Sequence, residues 1–173
     1  MPLRLGAGGY LPTGNQQVFV VPADGGAPRQ MTSGDYPISG SVSWMPDSQS
    51  IIFSSNRRED VEYHPRQNDL YAASLVTGEL TQMTDHAGPE SDPAVSPNGR
   101  YLAYTSAADT RQGYNRSDLR IMDLTSGESR SLTADLDRSV SDIQWSANSK
   151  DVWIRYNDLG VARIAKVDLK GNL

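Results

Sequence analysis

The sequence predicts an all-β chain built from repeated four-stranded antiparallel units, and three observations carry that expectation. The first is composition: among 173 residues there are 15 Gly and 10 Pro, and Asp outnumbers Glu 16 to 5. These residues, with Ser, favour turns and are poor helix formers, which argues against helical and coiled-coil architectures. The second is a recurring hexapeptide. Ser43-Trp44-Met45-Pro46-Asp47-Ser48 returns as Ala94-Val95-Ser96-Pro97-Asn98-Gly99 and as Gln144-Trp145-Ser146-Ala147-Asn148-Ser149, at offsets of 51 and 50 residues. The third is an apolar run at a fixed distance behind each copy: Ile51-Ile52-Phe53, Leu102-Ala103-Tyr104 and Val152-Trp153-Ile154. Several independent positions holding one period mark a repeat architecture.

The units follow in chain order. A first, partial unit over 18–32 supplies two strands around the Asp24-Gly25-Gly26 turn and closes on Gln30-Met31-Thr32. The second unit, 41–84, resolves into strands near Ser41–Trp44, Ser50–Ser55, Asp69–Leu75 and Leu80–Thr84. The third, 91–133, repeats it, with Ser117-Asp118-Leu119-Arg120 matching Asn68-Asp69-Leu70-Tyr71 and Ser131-Leu132-Thr133 matching Gln82-Met83-Thr84. The fourth, 140–173, is incomplete and stops after the Lys170-Gly171-Asn172 turn. Pro97, Asn98 and Gly99 suit a tight first-to-second turn. Ser48 and Ser149 stand in place of that glycine, which implies about 1 kcal/mol of strain in each of those turns if φ is positive there. Thr77-Gly78-Glu79 and Ser126-Gly127-Glu128 carry hairpin chemistry between third and fourth strands.

The second strands are apolar on both faces, as buried strands are, so both faces are expected to be covered. Four-stranded antiparallel units of about 40–50 residues, stacked face to face, are β-propeller blades. A β-sandwich would share the turn signals but has no reason for a 50-residue period. Roughly 13 strands make about three and a half blades, whereas closed propellers have typically 4–8. The expected fold is therefore a partial propeller, either a fragment of a longer protein or an arc that covers its open edges by association.

Composition also excludes several chemistries. With no cysteine there is no disulfide framework, zinc ribbon or thiol nucleophile. A net charge of −5 argues against nucleic acid as a partner. No apolar run approaches the roughly 20 residues that span a bilayer, so no membrane association is expected, and Met1–Tyr10 lacks the apolar stretch of a secretory signal. A soluble chain of the cytoplasm or periplasm fits these features. No cofactor or metal motif is present: His64 and His86 are the two histidines, Asp135 and Asp137 lack calcium-loop spacing, and Gly6-Ala7-Gly8-Gly9 is not a dinucleotide fingerprint. Trp44, Trp145 and Trp153 occupy strand positions, where core packing is the expected role.

The order of turn, Asp-Leu-Tyr-like strand, Gly turn and Leu-Thr ending resembles the propeller repeats of prolyl-oligopeptidase-family serine peptidases, with dipeptidyl and acylaminoacyl peptidases as the nearest look-alikes. The resemblance runs from about Gly6 to Leu173 and is clearest over Gln16–Thr32, Tyr63–Leu75 and Arg111–Thr133. The periplasmic Tol-system translocation protein has a similar repeat, but the ~50-residue period and long second-to-third loops favour the peptidases. The resemblance implies a propeller that covers an α/β-hydrolase domain of the parent chain, gating and positioning short peptides. It implies no catalytic residue here: there is no Gly-x-Ser-x-Gly elbow, no Ser-x-x-Lys and no His-Glu-x-x-His.

Antiparallel order places first-to-second and third-to-fourth turns at one end of the blades and the longer connectors at the other. The long loops Asn56–Asn68 and Ala107–Ser117 carry Arg57, Arg58, Glu59, Asp60, Glu62, Tyr63, His64, Arg66, Asp109, Arg111, Tyr114 and Arg116. Long polar loops gathered on a rigid scaffold are where binding usually sits. This end is expected to face a substrate, a hydrolase domain or another subunit; the alternative is a set of solvated connectors with local ion pairs. His64, beside Pro65, reads as an exposed histidine rather than a base.

Overall fold

The fold is seen in a computed structural model that describes residues 5–6, 9–10, 14–110 and 114–173. No helix occurs among them. A short hairpin, β1 (Leu5–Gly6) with β2 (Gly9–Tyr10), precedes the partial first unit, β3 (Phe19–Val20) with β4 (Arg29–Gln30). The second unit is a meander of β5 (Ile38–Trp44), β6 (Ser50–Ser55), β7 (Asp69–Ser74) and β8 (Leu80–Gln82). The third repeats it with β9 (Glu90–Val95), β10 (Tyr101–Ala107), β11 (Ser117–Asp123) and β12 (Ser129–Ser131). The fourth has β13 (Val140–Trp145), β14 (Asp151–Asp158) and β15 (Val161–Asp168). All pairings are antiparallel between sequence neighbours, as the repeat predicts for propeller blades.

Three apolar seams join the sheets. Val18, Val20 and Met31 of the first unit pack on Ile51, Phe53, Tyr71 and Ala73 of the second. Ile52 and Leu70 of the second pack on Leu102, Tyr104 and Met122 of the third. Ala103, Leu119 and Ile121 of the third pack on Val140, Val152, Ile154 and Val167 of the fourth. Alternating residues of one strand thus serve opposite seams, which is why β6 and β10 are apolar on both faces. Hydrogen bonds cross the seams as well. Val95 donates its amide to Ser43 Oγ at 3.0 Å, Ser54 Oγ donates to the Glu90 carbonyl at 2.6 Å, and Trp145 Nε1 donates to the Ala94 carbonyl at 2.8 Å. Arg29 and Arg130, on equivalent fourth strands, reach the carbonyls of Leu75 and Leu169 in the following unit.

The fourth unit departs from the expectation of two covered faces. Trp153 is 43% exposed, since among the described residues no sheet packs on the outer face of β13–β15. Trp44 is 48% exposed on the first strand of the second unit, so neither residue has the core role expected of it. Trp145 does pack, stacking on Tyr101 with ring centroids 6.3 Å apart. The long second-to-third loop is also missing from this unit, where Leu159-Gly160 makes a tight turn with φ of 48° and 79°.

A periodic bulge was not legible beforehand. Gly40, Asp92 and Asp142, with φ of 69°, 52° and 53°, sit at equivalent points of the three first strands, where pairing with the second strand slips. Such bulges bend and twist a strand.

The first-to-second turns behave as expected: φ is 57° at Ser48, 71° at Gly99 and 59° at Ser149. Ser48→Gly is therefore expected to raise stability by about 1 kcal/mol, read as a rise of about 2–4 °C in thermal midpoint. Ser149→Gly should give no such gain, since Ser149 Oγ accepts the Asn98 amide at 3.1 Å across the seam. A gain at both positions would contradict this distinction.

Candidate functional site

The long-loop end is built around Asn56, which is buried at the end of β6. Its Nδ2 donates to the His64 carbonyl at 2.7 Å, and its Oδ1 accepts the Arg58 amide at 3.3 Å, so one side chain folds the loop over 56–68 back on itself. Arg58 then pairs with Asp60 at 2.8 Å, and that hydrogen bond holds the Asp60 carboxyl below its ordinary range. His64 Nε2 lies 3.6 Å from Asp60 Oδ2 and is half-buried, which corrects the expectation of an exposed histidine. Arg57 turns away, 4.2 Å over the Tyr36 ring, and donates to the Ser33 carbonyl at 3.5 Å. Glu59, Glu62, Tyr63 and Arg66 remain exposed to solvent.

The second loop lines a cleft of about 370 Å³ on the third unit, closed at one side by His86 of the connector before it and walled by Ser106, Ala107, Ala108, Thr110, Tyr114, Asn115, Arg116, Asp118 and Arg120. Arg116 pairs with Asp118 at 3.0 Å and donates to the Leu136 carbonyl at 3.2 Å. Asp109 is exposed, with its amide on the Ala87 carbonyl at 3.2 Å, and Arg111 lies outside the described residues. The two loops therefore do not converge on one point. They are linked through the intervening connector, where Gln67 Nε2 donates to the His86 carbonyl at 2.9 Å.

Several polar groups here escaped the sequence reading. Asp69 and Asp118 hold the same place at the start of the third strand, held by Gln82 at 3.2 Å and Ser131 at 3.3 Å from the fourth. Asp118 has Arg116 two residues before it and Asp69 has Gln67; the Oδ1 atoms of both are buried without a hydrogen-bond partner, but that of Asp118 has the Arg116 guanidinium 3.0 Å away. Burial pushes the Asp69 carboxyl up to about 6. Glu90, 1% exposed at the start of β9, is pushed up to about 7 by burial, against the favourable Thr84 hydroxyl, and its Oε2 is also unpartnered. The repeated Asp was a readable signal; the burial of Glu90 was not.

The cleft gathers hydroxyl, imidazole, carboxylate and guanidinium side chains. Ser106, His86 and Asp118 line one cleft, yet no hydrogen bond links any two of them among the described residues, and Asp118 is committed to Arg116 and Ser131. No group of three or more metal-ligating side chains occurs among the described residues either.

Residues 10–112 match the family described as the dipeptidyl peptidase IV N-terminal region. The chain belongs to this family. Dipeptidyl-peptidase 5 of Porphyromonas gingivalis is 31% identical over 116 residues, which is 64% of this chain and 16% of that enzyme. The Tol-Pal system protein TolB of Francisella tularensis is 28% identical over 100 residues, 57% of this chain and 20% of that protein. The chain thus spans well under a third of these relatives. Among solved structures, puromycin hydrolase superposes with a TM-score of 0.66 and 16% identity, covering 91% of this chain and 26% of that one. The putative TolB of Agrobacterium tumefaciens superposes with a TM-score of 0.69 and 21% identity, covering 91% and 54%. These superpositions establish the propeller fold of the dipeptidyl peptidase IV N-terminal family member described here, in agreement with the resemblance read from its repeats.

Proposed function

We propose that this chain is the non-catalytic propeller portion of a serine exopeptidase, acting in its parent to restrict access to a hydrolase domain and to position short peptides. The observation that carries the reading is the one-sided distribution of loops in a peptidase-family propeller. The polar connectors over 56–68 and 107–117, and the cleft holding Arg116 and Arg120, all lie at one end of the blades, while the other end is closed by tight turns. Rigid strands with polar loops at one rim suit the capture of a small charged ligand or the seating of a second domain. Dipeptidyl substrates are the first class to try, and acylaminoacyl substrates the second. By itself the chain is expected to hydrolyse neither.

A second reading is a Tol-like scaffold presenting the same rim to a protein partner, favoured by the likeness to TolB in sequence and fold. The parent reading frame separates the two. A hydrolase region of about 250 residues with Gly-x-Ser-x-Gly supports the peptidase. A frame of further blades without it favours the scaffold. The compartment follows from the same frame, through the presence or absence of an export signal.

A further inference from the structure

We propose that the cleft on the third unit binds a carboxylate group, that of a short peptide or of a free small acid, and that Arg120 holds it. The register of the repeat singles Arg120 out. The pairs Phe53–Tyr71, Tyr104–Arg120 and Ile154–Ala165 occupy the same place in the second, third and fourth units. Tyr71 and Ala165 pack into the apolar seam that joins their unit to the one before. Glu90 departs in the same way. Its counterparts two residues before the bulge are Ile38 and Val140, which pack into those same seams. The third unit thus carries a guanidinium and a carboxyl where both neighbours carry apolar side chains.

Burying two polar groups in an apolar row is costly unless they bond to each other. These two do not. Glu90 Oε2 and Arg120 Nε are both buried without a partner, and no ion pair joins them among the described residues. Burial raises the Glu90 carboxyl to about 7, so near neutrality it offsets only part of the Arg120 charge. Packing therefore gives no reason for an arginine here. A position that breaks the rule its neighbours keep is one where function sets the residue.

Arg120 reaches into the cleft. Ser106, Asp118 and Arg120 share one face of β10–β11, through the pairs Ser106–Asp118 and Tyr104–Arg120. Asp118 is held by Arg116 at 3.0 Å and by Ser131 at 3.3 Å, so the Arg116 and Asp118 charges offset each other. Arg120 donates Nη2 to the neutral Ser129 hydroxyl at 3.1 Å and pairs with no carboxylate among the described residues. It is the uncompensated cation of the cleft wall. A planar guanidinium matches a planar carboxylate, and Ser106, Tyr114 and Asn115 offer hydroxyl and amide groups to the rest of a ligand. A cleft of about 370 Å³ is at the small end of ligand sites, which suits the end of a peptide rather than an extended chain.

The peptide source rests on the proposed handling of short peptides; the carboxylate site does not. Isothermal titration calorimetry of this chain with Ala-Ala, Ala-Ala amide and acetate tests it. Ala-Ala amide should bind about ten- to a hundredfold more weakly than Ala-Ala, the loss of a charged hydrogen bond. Ala-Ala binding tighter than acetate supports the site with a peptide as its ligand, and equal binding supports it with a free acid. Arg120→Tyr, which restores the counterpart of Tyr71, should keep the far-ultraviolet circular dichroism and lose Ala-Ala binding. Arg120→Gln, polar but uncharged, should lose it equally. No heat with either acid at millimolar concentrations, equal binding of Ala-Ala and its amide, tighter binding of inorganic phosphate, or undiminished binding by Arg120→Tyr or Arg120→Gln would each overturn the proposal. None of these readouts needs hydrolysis, so a parent inactive on peptides would overturn the proposed function alone.

Discussion

Gly88→Ala is expected to lower the thermal midpoint by about 6–12 °C, equivalent to roughly 3 kcal/mol in a chain of this size. Gly88 adopts φ of 129°, and a Cβ built there would lie 2.0 Å from the Ala107 carbonyl oxygen and 2.9 Å from the Asp109 amide nitrogen. Backbone, not a flexible side-chain tip, blocks the methyl. The close approach is functional in the architecture: Asp109 donates its amide to Ala87 at 3.2 Å and Ala107 donates to Pro89 at 3.1 Å. These bonds fix the connector over 85–89 to the base of the loop that lines the cleft. Gly127→Ala is the control, since φ is 76° but nothing stands within 4 Å. It should cost only about 1 kcal/mol from the left-handed backbone. Equal melting shifts for the two variants would refute the steric account. Amide exchange should also speed up around 85–89 and 107–110 in Gly88→Ala alone.

Stability is expected to fall as pH rises from 5 to 8, and Glu90→Gln to remove much of that fall. Burial raises Glu90 from an ordinary 4.5 to about 7 and Asp69 from 3.8 to about 6. A carboxyl whose folded pKa is raised binds its proton more tightly in the folded state. Its contribution is complete below the unfolded pKa and is lost as pH climbs through the folded one. The window is therefore about pH 4 to 7. Together the groups are worth on the order of 2–3 kcal/mol after allowance for partial solvent access, or about 4–12 °C in midpoint. Asp60, Asp123 and Asp168 are shifted the other way by hydrogen bonds, from Arg58, from the Thr125 backbone amide and from Asn172 respectively. They are already ionised at pH 5 and add no slope above it. Glu90→Gln should melt higher than the parent chain at pH 8 and nearly level with it at pH 5. A wild-type midpoint that rises over this interval would contradict the placement of these carboxyls.

Much of the fold was legible because propeller blades repeat their chemistry. Turn residues at Pro97, Asn98 and Gly99, apolar second strands, and the Gln-Met-Thr endings fix strand order and pairing without tertiary information. Even the positive φ of Ser48 and Ser149 follows from aligning them with Gly99. What did not read out depends on neighbours in space. Trp153 resembles Ile52 in the sequence but has no sheet over it among the described residues, and Trp44 is also exposed. The bulges at Gly40, Asp92 and Asp142 share a period but not a residue type, so no single side chain announces them. Among the candidate site residues, Arg58, Asp60 and His64 form one local group and Tyr114 and Arg116 line a separate cleft, a division that loop composition could not reveal. Asn56 and Gly88, which shape those loops, carry no functional signature of their own.

In the proposed function the long-loop rim of this propeller positions peptides for a hydrolase domain of its parent. Steady-state kinetics of the full-length parent on dipeptidyl chromogenic substrates test it most directly, comparing the native protein with one in which Glu59, Glu62 and Arg116 are replaced together by alanine. Glu59 and Glu62 face solvent, and Arg116 lies in the cleft. The expected result is a rise in KM of about tenfold, corresponding to about 1.4 kcal/mol of lost binding, with kcat within about twofold of the native value. An unchanged KM with full activity, or a native parent that hydrolyses no such substrate, would contradict the account.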